Sequence, residues 1–479
     1  MGEGSNVLSS WLSRVTADAA PEELPVLART RRRLPRVLED DLAPRRTLAM
    51  AIMEDPGLAL RVLQSANAIP HRHFGAELFM LEDAAHMLGC QRLLGIATEA
   101  SQAEEVLDAN RLEHYRRSAG RAVLAALLAQ DWARIDRDRF PSEVSLAALL
   151  NNLGELYLLA HGDARMARYL EMVEVLHIFP HEAEYMSLGE SLEELGHVLA
   201  VRWGLPEMVR EAMRARNAQH LRTLCVMLAT QTARYAFAGW RHPSQFTDLR
   251  LAAEMLDMDI ASLIQRVNQV LDDFNRIAAN YGVSALSRLP IHAEGVLMSG
   301  ARPTEPTSVC LAPRRDDYLA AEHQLKGSDP MDRGWLLTSL LRGLHRGLGL
   351  NRVVFASYSD HAHAFRPEYL AGTDFEPAFN RFTLSVAEAG CLGDLMQRPA
   401  SLWLSDENAA ELLPRLPRPL LELIGVERFF VKSLWVGGRP VGIVHADRRT
   451  ADCRLDAAAY DAFRRLVDLA GDALERRAA

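Results

Sequence analysis

The sequence predicts a multidomain chain, all-α in its N-terminal part and α+β in a smaller C-terminal domain. Three observations carry this. From about residue 21 to 281 nearly every periodic segment has apolar residues at helical spacing. A polar stretch with scattered prolines, residues 301–330, then interrupts the pattern and reads as linker. Only after it do β-branched and aromatic runs appear, at 352–358, 381–386, 429–436 and 441–446. The last two are joined by Gly437-Gly438-Arg439-Pro440, a hairpin signal in which glycine supplies the φ > 0 positions.

The helical part is organised around residues 146–159. Leu146, Leu149, Leu150, Leu153, Leu156 and Tyr157 form one apolar helical face, and Ala148, Leu158 and Leu159 make the other faces apolar too. A single buried helix is expected, with two amides, Asn151 and Asn152, in its middle. A buried amide is unfavourable unless its hydrogen bonds are made, so both should be bonded to backbone or to neighbouring helices. A metal site would want carboxylate and imidazole there.

Around it, Asp55-Pro56 caps a helix through Leu58, Leu60, Val62 and Leu63. Residues 81–88 form another, with Gly89 as C-cap. A long helix covers 111–134, then 164–179 and 182–203 follow. Gly204-Leu205-Pro206 makes a corner into 207–216, and further helices cover 221–237 and 249–279. In the C-terminal domain a helix over 331–348 precedes the strands, and 456–477 closes the chain.

Composition narrows the function classes. With 479 residues and 49% hydrophobic content the chain can build large cores. No run approaches the roughly 18 uninterrupted apolar residues of a membrane span. The N-terminus has no charged region followed by an apolar core, so no signal peptide is expected. The five cysteines, Cys90, Cys225, Cys310, Cys391 and Cys453, are odd in number and far apart, which predicts reduced thiols, a cytoplasmic location and no cysteine-based zinc motif. A net charge of −9 argues against general nucleic-acid affinity.

Residues 55–67, DPGLALRVLQSAN, resemble the "DPaLalrlLrlaNs" stretch of HDOD domains, and residues 81–94 resemble the segment that follows it. Residues 149–159 and 193–212, with Arg202-Trp203-Gly204-Leu205-Pro206, resemble the later helices of that family. The resemblance implies an all-helical relative of the HD metal-dependent phosphohydrolases, used mainly in bacterial signalling, usually without demonstrated catalysis. Where HD enzymes carry their ligands, this chain has Arg117 for the first histidine, Asn151-Asn152 for the His-Asp pair, Leu192 for a later histidine, and Arg216-Asn217 for the terminal pair. Arginine keeps its proton, leucine has no donor atom and neutral asparagine binds divalent ions weakly. Without a metal nothing activates a water for phosphate hydrolysis. No catalytic residue, metal or cofactor is expected.

Other groupings read as structural. His71 and His73 sit in a loop after Pro70, and His177 and His181 flank Pro180, which should break the helix that would align them. His197 reads as a packed core residue. Arg29, Arg31, Arg32, Arg33, Arg36, Arg45 and Arg46 form a basic cluster, expected to pair with Glu39, Asp40 and Asp41 or to be solvated. Nucleic-acid binding through this cluster is the minority alternative.

Residues 382–399, 403–406 and 437–447 resemble a GAF domain, with the hairpin as the most specific part. The resemblance implies an antiparallel sheet between helices that senses a small molecule, such as a cyclic nucleotide, tetrapyrrole or haem, or serves dimerisation. Cys391 reads as a small residue at a helix start, not a bilin attachment. Phe355, Gly372, Asp374, Trp403 and Asp406 are the candidates for a ligand pocket. The stripe of Tyr460, Phe463, Leu466, Val467, Ala470 and Leu474 can pack on its own sheet or on a second copy, which suggests a homodimer. The expected organisation is an N-terminal segment (1–20), the HDOD domain (21–217), a helical extension (218–300), the linker (301–330) and the GAF-like domain (331–479). The expected function is non-catalytic signal transduction with a protein partner and no membrane association. The rival is an HD-type phosphodiesterase.

Overall fold

Asp55 shows how local chemistry sets the helical packing. Its carboxylate accepts from the Leu58 amide at 3.1 Å, capping the helix Pro56–Asn67, and from the Leu27 amide at 2.8 Å. Gly57 lets that turn lie close to residue 25, since a Cβ there would meet the Pro25 carbonyl at 2.6 Å. The computed structural model describes residues 10–38, 45–69, 78–240, 242, 244–289, 307, 309–327, 332–450 and 452–478. It divides into a helical unit, Leu8–Glu171 with Ser187–Glu305, and a sheet unit that combines Met172–Met186 with Pro306–Ala479.

In the helical unit the long helix Ala109–Ile135 packs against Pro141–Leu150 and Leu221–Phe237. Trp132, Leu124 and Leu128 are fully buried along it. The buried run at 146–159 is not one helix. It is Pro141–Leu150 and Leu153–His161, interrupted at Asn151-Asn152, where Asn152 has φ −92° and ψ 26°. The physical reason lies just beyond. Gly154 abuts the helix Leu192–Arg202, and a Cβ on it would meet the Leu192 carbonyl at 2.3 Å, so the second helix takes a direction that a continuous one would not. The helix expected over 182–203 is likewise two, Pro180–Ser187 and Leu192–Arg202, separated at Gly189 (φ 82°) and restarted by the Ser191 cap on Glu194. Gly89, at φ 71°, kinks the run Leu81–Glu99.

The sheet unit holds six antiparallel strands: β1 (Arg352–Ser359), β2 (Ala364–Ala371), β3 (Leu384–Ser385), β4 (Ser401–Leu404), β5 (Phe429–Val436) and β6 (Arg439–Asp447), in the order β3-β2-β1-β6-β5-β4. Strand alternation divides the core in two. Val353, Phe355, Phe430, Leu434, Val444 and Ala446 face the helices Arg315–Lys326, Arg333–Arg342 and Ala457–Ala478. Val354, Ala356, Phe429, Val431 and Ile443 face Phe379, Leu392, Leu416, Leu420 and Ile424.

Three expectations are corrected here. The run 301–330 is not a linker throughout: Arg315–Lys326 is a helix, with Asp316 and Asp317 in its first turn and buried Ala321 and Leu325 four residues apart. The strand at 381–386 is reduced to Leu384–Ser385, because short 3₁₀ turns flank it on both sides. Cys310 and Cys453 are bonded to each other, with Cα atoms 5.3 Å apart, whereas Cys90, Cys225 and Cys391 are free. Of the two alternatives for the terminal stripe, packing on its own sheet is the one observed: Phe463, Leu466, Val467 and Ala470 are at most 1% exposed. Among the described residues no helix is long and apolar enough to cross a membrane.

Gly154→Ala should destabilise the helical unit by about 2 kcal/mol, because its Cβ would overlap backbone that cannot give way. Gly95→Ala, with nothing closer than 3.9 Å, should be neutral or stabilise by up to about 1 kcal/mol. Denaturant midpoints of the two variants check this. Equal midpoints would refute the close helix approach.

Candidate functional site

Chemistry-bearing side chains gather in two places: the positions expected to match HD ligands, and a buried charged cluster in the sheet unit. In the helical unit Asn151 and Asn152 are 8% and 7% exposed. Asn151 donates to the Ala212 carbonyl at 3.2 Å, and Asn152 donates to the Ser118 carbonyl at 3.1 Å and its Oγ at 2.7 Å. Both amides therefore present N–H groups to protein oxygen. Beside them Arg121 is ion-paired with buried Glu155. Burial opposes ionisation of Glu155, but Arg121 and Arg234 outweigh it and hold the carboxyl below its ordinary range. Arg117 donates to the Phe237 carbonyl at 3.1 Å, and Leu192 is buried. Asn217 donates to Glu211, while Arg216 is exposed. The structure thus brings Asn152 to the residue after Arg117, and Asn151 to the helix end before Arg216. The group an HD enzyme would hold does not fit this set: Asn152 Oδ1 is buried without a hydrogen bond, but one neutral amide oxygen beside a guanidinium is a weak ligand for a divalent ion.

The basic cluster is dispersed. Arg33 pairs with Glu54 and Arg31 reaches the Ala100 carbonyl, leaving Arg29, Arg32 and Arg36 exposed. The partners proposed at Glu39, Asp40 and Asp41, the side chains of Arg45 and Arg46, and His71 and His73 lie outside the described residues. His197 is half-buried against the Arg210 carbonyl, and burial followed by Arg214 pushes its ring down to about 4.

The sheet unit contains the denser chemistry. Pro180 starts a helix and leaves His177 outside it. Pro180–Ser187 carries His181, Glu182 and Glu184, all buried. The strand-like link before it pairs with residue 307: the Phe179 amide donates to the Thr307 carbonyl at 3.2 Å and the Thr307 amide to His177 at 2.7 Å. Tyr185 Oη donates to the Ala312 carbonyl at 2.8 Å.

Against this helix stand three loops. Arg449, in the turn after β6, takes φ 58° and reaches Glu182 at 2.9 Å, Glu376 at 2.6 Å and the Gly372 carbonyl at 2.6 Å, while its guanidinium lies 4.2 Å from the Phe179 ring centroid. Burial disfavours that charge, but Glu376, Glu182 and Asp447 raise its pKa above the ordinary value. Asn351 donates to Glu182 at 2.7 Å. Arg352 grips Asp447 through Nε at 3.1 Å to each oxygen, and His445 Nε2 lies 2.9 Å from Asp447. Burial would raise the Asp447 pKa, yet Arg352 and His445 hold it far below the usual carboxylate range. His345, on the π turn Gly343–Gly347, faces His181 with the two Nε2 atoms 3.2 Å apart. Burial, then the neighbouring His181, pushes the His345 ring down to about 3.

Of the five expected pocket residues, two are here. Asp374 lies 3.6 Å from His181 Nδ1. Gly372, at φ 81°, lets its loop approach the Asn351 carbonyl, which a Cβ would meet at 1.8 Å. Phe355 is a core residue, Trp403 packs on Phe430 and Tyr460, and Asp406 is exposed beside Arg428. Sequence reasoning missed His345, Glu182, Glu184, Glu376, Arg352, Asp447 and Arg449. The only available signal was the acidic run His181-Glu182-Ala183-Glu184, whose burial no local pattern announces.

Residues 24–219 match the HDOD domain family model, so the chain carries an HDOD domain there. The match runs through Met172–Met186, the segment that belongs to the sheet unit. No curated protein matches the chain. Among solved structures, the MmoQ response regulator from Methylococcus capsulatus is 21% identical, with 51% of this chain and 97% of that one covered and a TM-score of 0.37. An HDOD domain protein from Geobacter sulfurreducens is 19% identical over 56% and 96%, with a TM-score of 0.32. A GAF domain/HD domain protein from the same organism is 18% identical over 33% and 97%, with a TM-score of 0.26.

Asp447 sets a pH dependence. Its folded pKa is depressed, so its stabilising contribution is complete above the unfolded value of about 3.9 and is lost as pH falls below it. The melting temperature of the sheet unit should therefore drop as pH falls below about 4, and Asp447→Asn should flatten that slope. An unchanged slope would refute the assignment. Arg449→Met leaves Glu182 and Glu376 buried without their cation, and should destabilise the unit by about 3–5 kcal/mol in chemical denaturation.

Proposed function

We propose that this chain, with its HDOD domain at residues 24–219, is a non-catalytic regulatory protein of signal transduction. In this reading the helical unit is a scaffold for a protein partner, and the sheet unit is a GAF-type domain that responds to a small molecule. The observation that carries it is the side-chain set at the HD positions. Asn151 and Asn152 spend their N–H groups on Ala212 and Ser118, and Arg121 already neutralises Glu155. A hydrolase of this class needs a metal-bound water as nucleophile, and this constellation offers no anionic or imidazole ligand to hold one. The GAF-type reading is supported by an antiparallel sheet flanked by helices on one face and by short helices and loops on the other, closed by the hairpin of β5 and β6.

Two assays on the full chain test it. With bis(p-nitrophenyl) phosphate and cyclic dinucleotides in Mn²⁺ or Mg²⁺, turnover should equal the buffer blank. Turnover that Asn151→Ala and Asn152→Ala abolish would establish an enzyme instead. In a thermal-shift series with cyclic mono- and dinucleotides, a true ligand should raise the midpoint with the logarithm of its concentration. A flat series across those compounds would sink the nucleotide-sensing part of the reading.

A further inference from the structure

The His181 ring occupies a position that hydrogen bonding alone does not complete. His345 Nδ1 lies 2.6 Å from the Leu350 carbonyl, which can only accept, so Nδ1 carries the hydrogen. His345 Nε2 is then an acceptor, and the hydrogen between the rings belongs to His181 Nε2 at 3.2 Å. In the neutral ring that leaves a lone pair on His181 Nδ1. This atom is buried and makes no hydrogen bond, and the groups it faces are two carboxylates: Asp374 at 3.6 Å and Glu184 at 3.9 Å. A lone pair aimed at two anions is repulsive, so the geometry calls for a cation between them.

The distances select which cation. A shared proton would draw nitrogen and carboxylate to about 2.7–2.9 Å. Ligands at about 2.0–2.2 Å from a tetrahedral ion lie roughly 3.3–3.6 Å from one another, close to the 3.6 and 3.9 Å from His181 Nδ1 to Asp374 and Glu184. One ligand atom from each of His181, Glu184 and Asp374 falls within 4.8 Å of the others. His181 and Glu184 are one helical turn apart, on the same side of Pro180–Ser187, and Asp374 comes from the loop after β2.

We propose that His181 Nδ1, Glu184 and Asp374 bind one divalent transition-metal ion, zinc or manganese. One imidazole and two carboxylates suit these ions, with water completing the coordination. His345 is the positioning residue: it fixes the His181 tautomer from Nε2, and Leu350 fixes His345 in turn, the relay that metal-bound histidines use. The site is structural. It ties the segment Met172–Met186 to the loop after β2 within the sheet unit. Its residues belong to the sheet unit, whereas Asn151 and Asn152 belong to the helical unit.

The test uses the tag-free full chain, stripped with chelator and desalted. Titration with ZnCl₂, MnCl₂ and, as a visible probe, CoCl₂ should show one ion per chain by elemental analysis. Cobalt should give d–d bands without thiolate charge transfer. His181→Gln, Glu184→Gln and Asp374→Asn should each weaken binding at least tenfold, and His345→Gln by about 10–100-fold. Metal should raise the melting midpoint of the parent but not of the three ligand variants, whose metal-free midpoints report whether they fold. The double variant with Asn151→Ala and Asn152→Ala should keep the ion. No ion on the stripped parent, undiminished binding in His181→Gln and Asp374→Asn, or loss of the ion in the double asparagine variant would each overturn the proposal.

Discussion

The sheet unit depends on Arg449. A guanidinium this deep is tolerable only where carboxylates and carbonyls take up its hydrogens, and here Glu182, Glu376 and the Gly372 carbonyl do so while Phe179 covers its face. The partners arrive from two distant segments, Phe179 and Glu182 from around the helix Pro180–Ser187 and Gly372 and Glu376 from the loop after β2. One guanidinium therefore constrains that helix, that loop and the turn after β6 at once. A buried ion pair is weak evidence for net stability, because desolvation offsets much of the attraction. Its contribution is to register: an apolar contact would accept the helix in several rotations, whereas Glu182 meets Arg449 and Asn351 in one.

The helical unit is constrained differently, by backbone proximity. Gly154 against Leu192, Gly57 against Pro25, and Gly120 against Tyr281 are places where helices touch main chain to side chain or main chain to main chain. The two asparagines follow from the same constraint. Where the chain breaks between two buried helices, backbone groups lose their regular partners, and short amides can reach across to Ser118 and Ala212. Asn151 and Asn152 thus tie the break to Ala212 and Ser118.

The all-helical half, the strands β1, β5 and β6 and the hairpin were legible because periodicity and glycine placement are local properties. So was the burial of Asn151 and Asn152, which followed from apolar neighbours on every side. The break between them was not, since it depends on Gly154 meeting a helix some forty residues later. The helix Arg315–Lys326 was hidden by its arginines and aspartates, which occupy its exposed face and make the stretch resemble a linker. The charged cluster was the least legible. His181 and His345 are 164 residues apart, and Glu182 and Arg449 are 267 apart. Nothing in either neighbourhood signals the other. Pro180 separates His177 from the helix carrying His181, as expected, and stands at that helix's first position.

The assignment of Met172–Met186 to the sheet unit has a consequence for biosynthesis. The chain leaves the helical unit at residue 171 and re-enters it at 187, so this helix is made well before the strands it belongs with. Between Glu182 and Arg449 a ribosome adds 267 residues, which at about 5–20 residues per second takes roughly 10–50 s. Throughout that interval Glu182 lacks the cation that it meets in the folded unit, so this helix acquires its buried partner only late in synthesis.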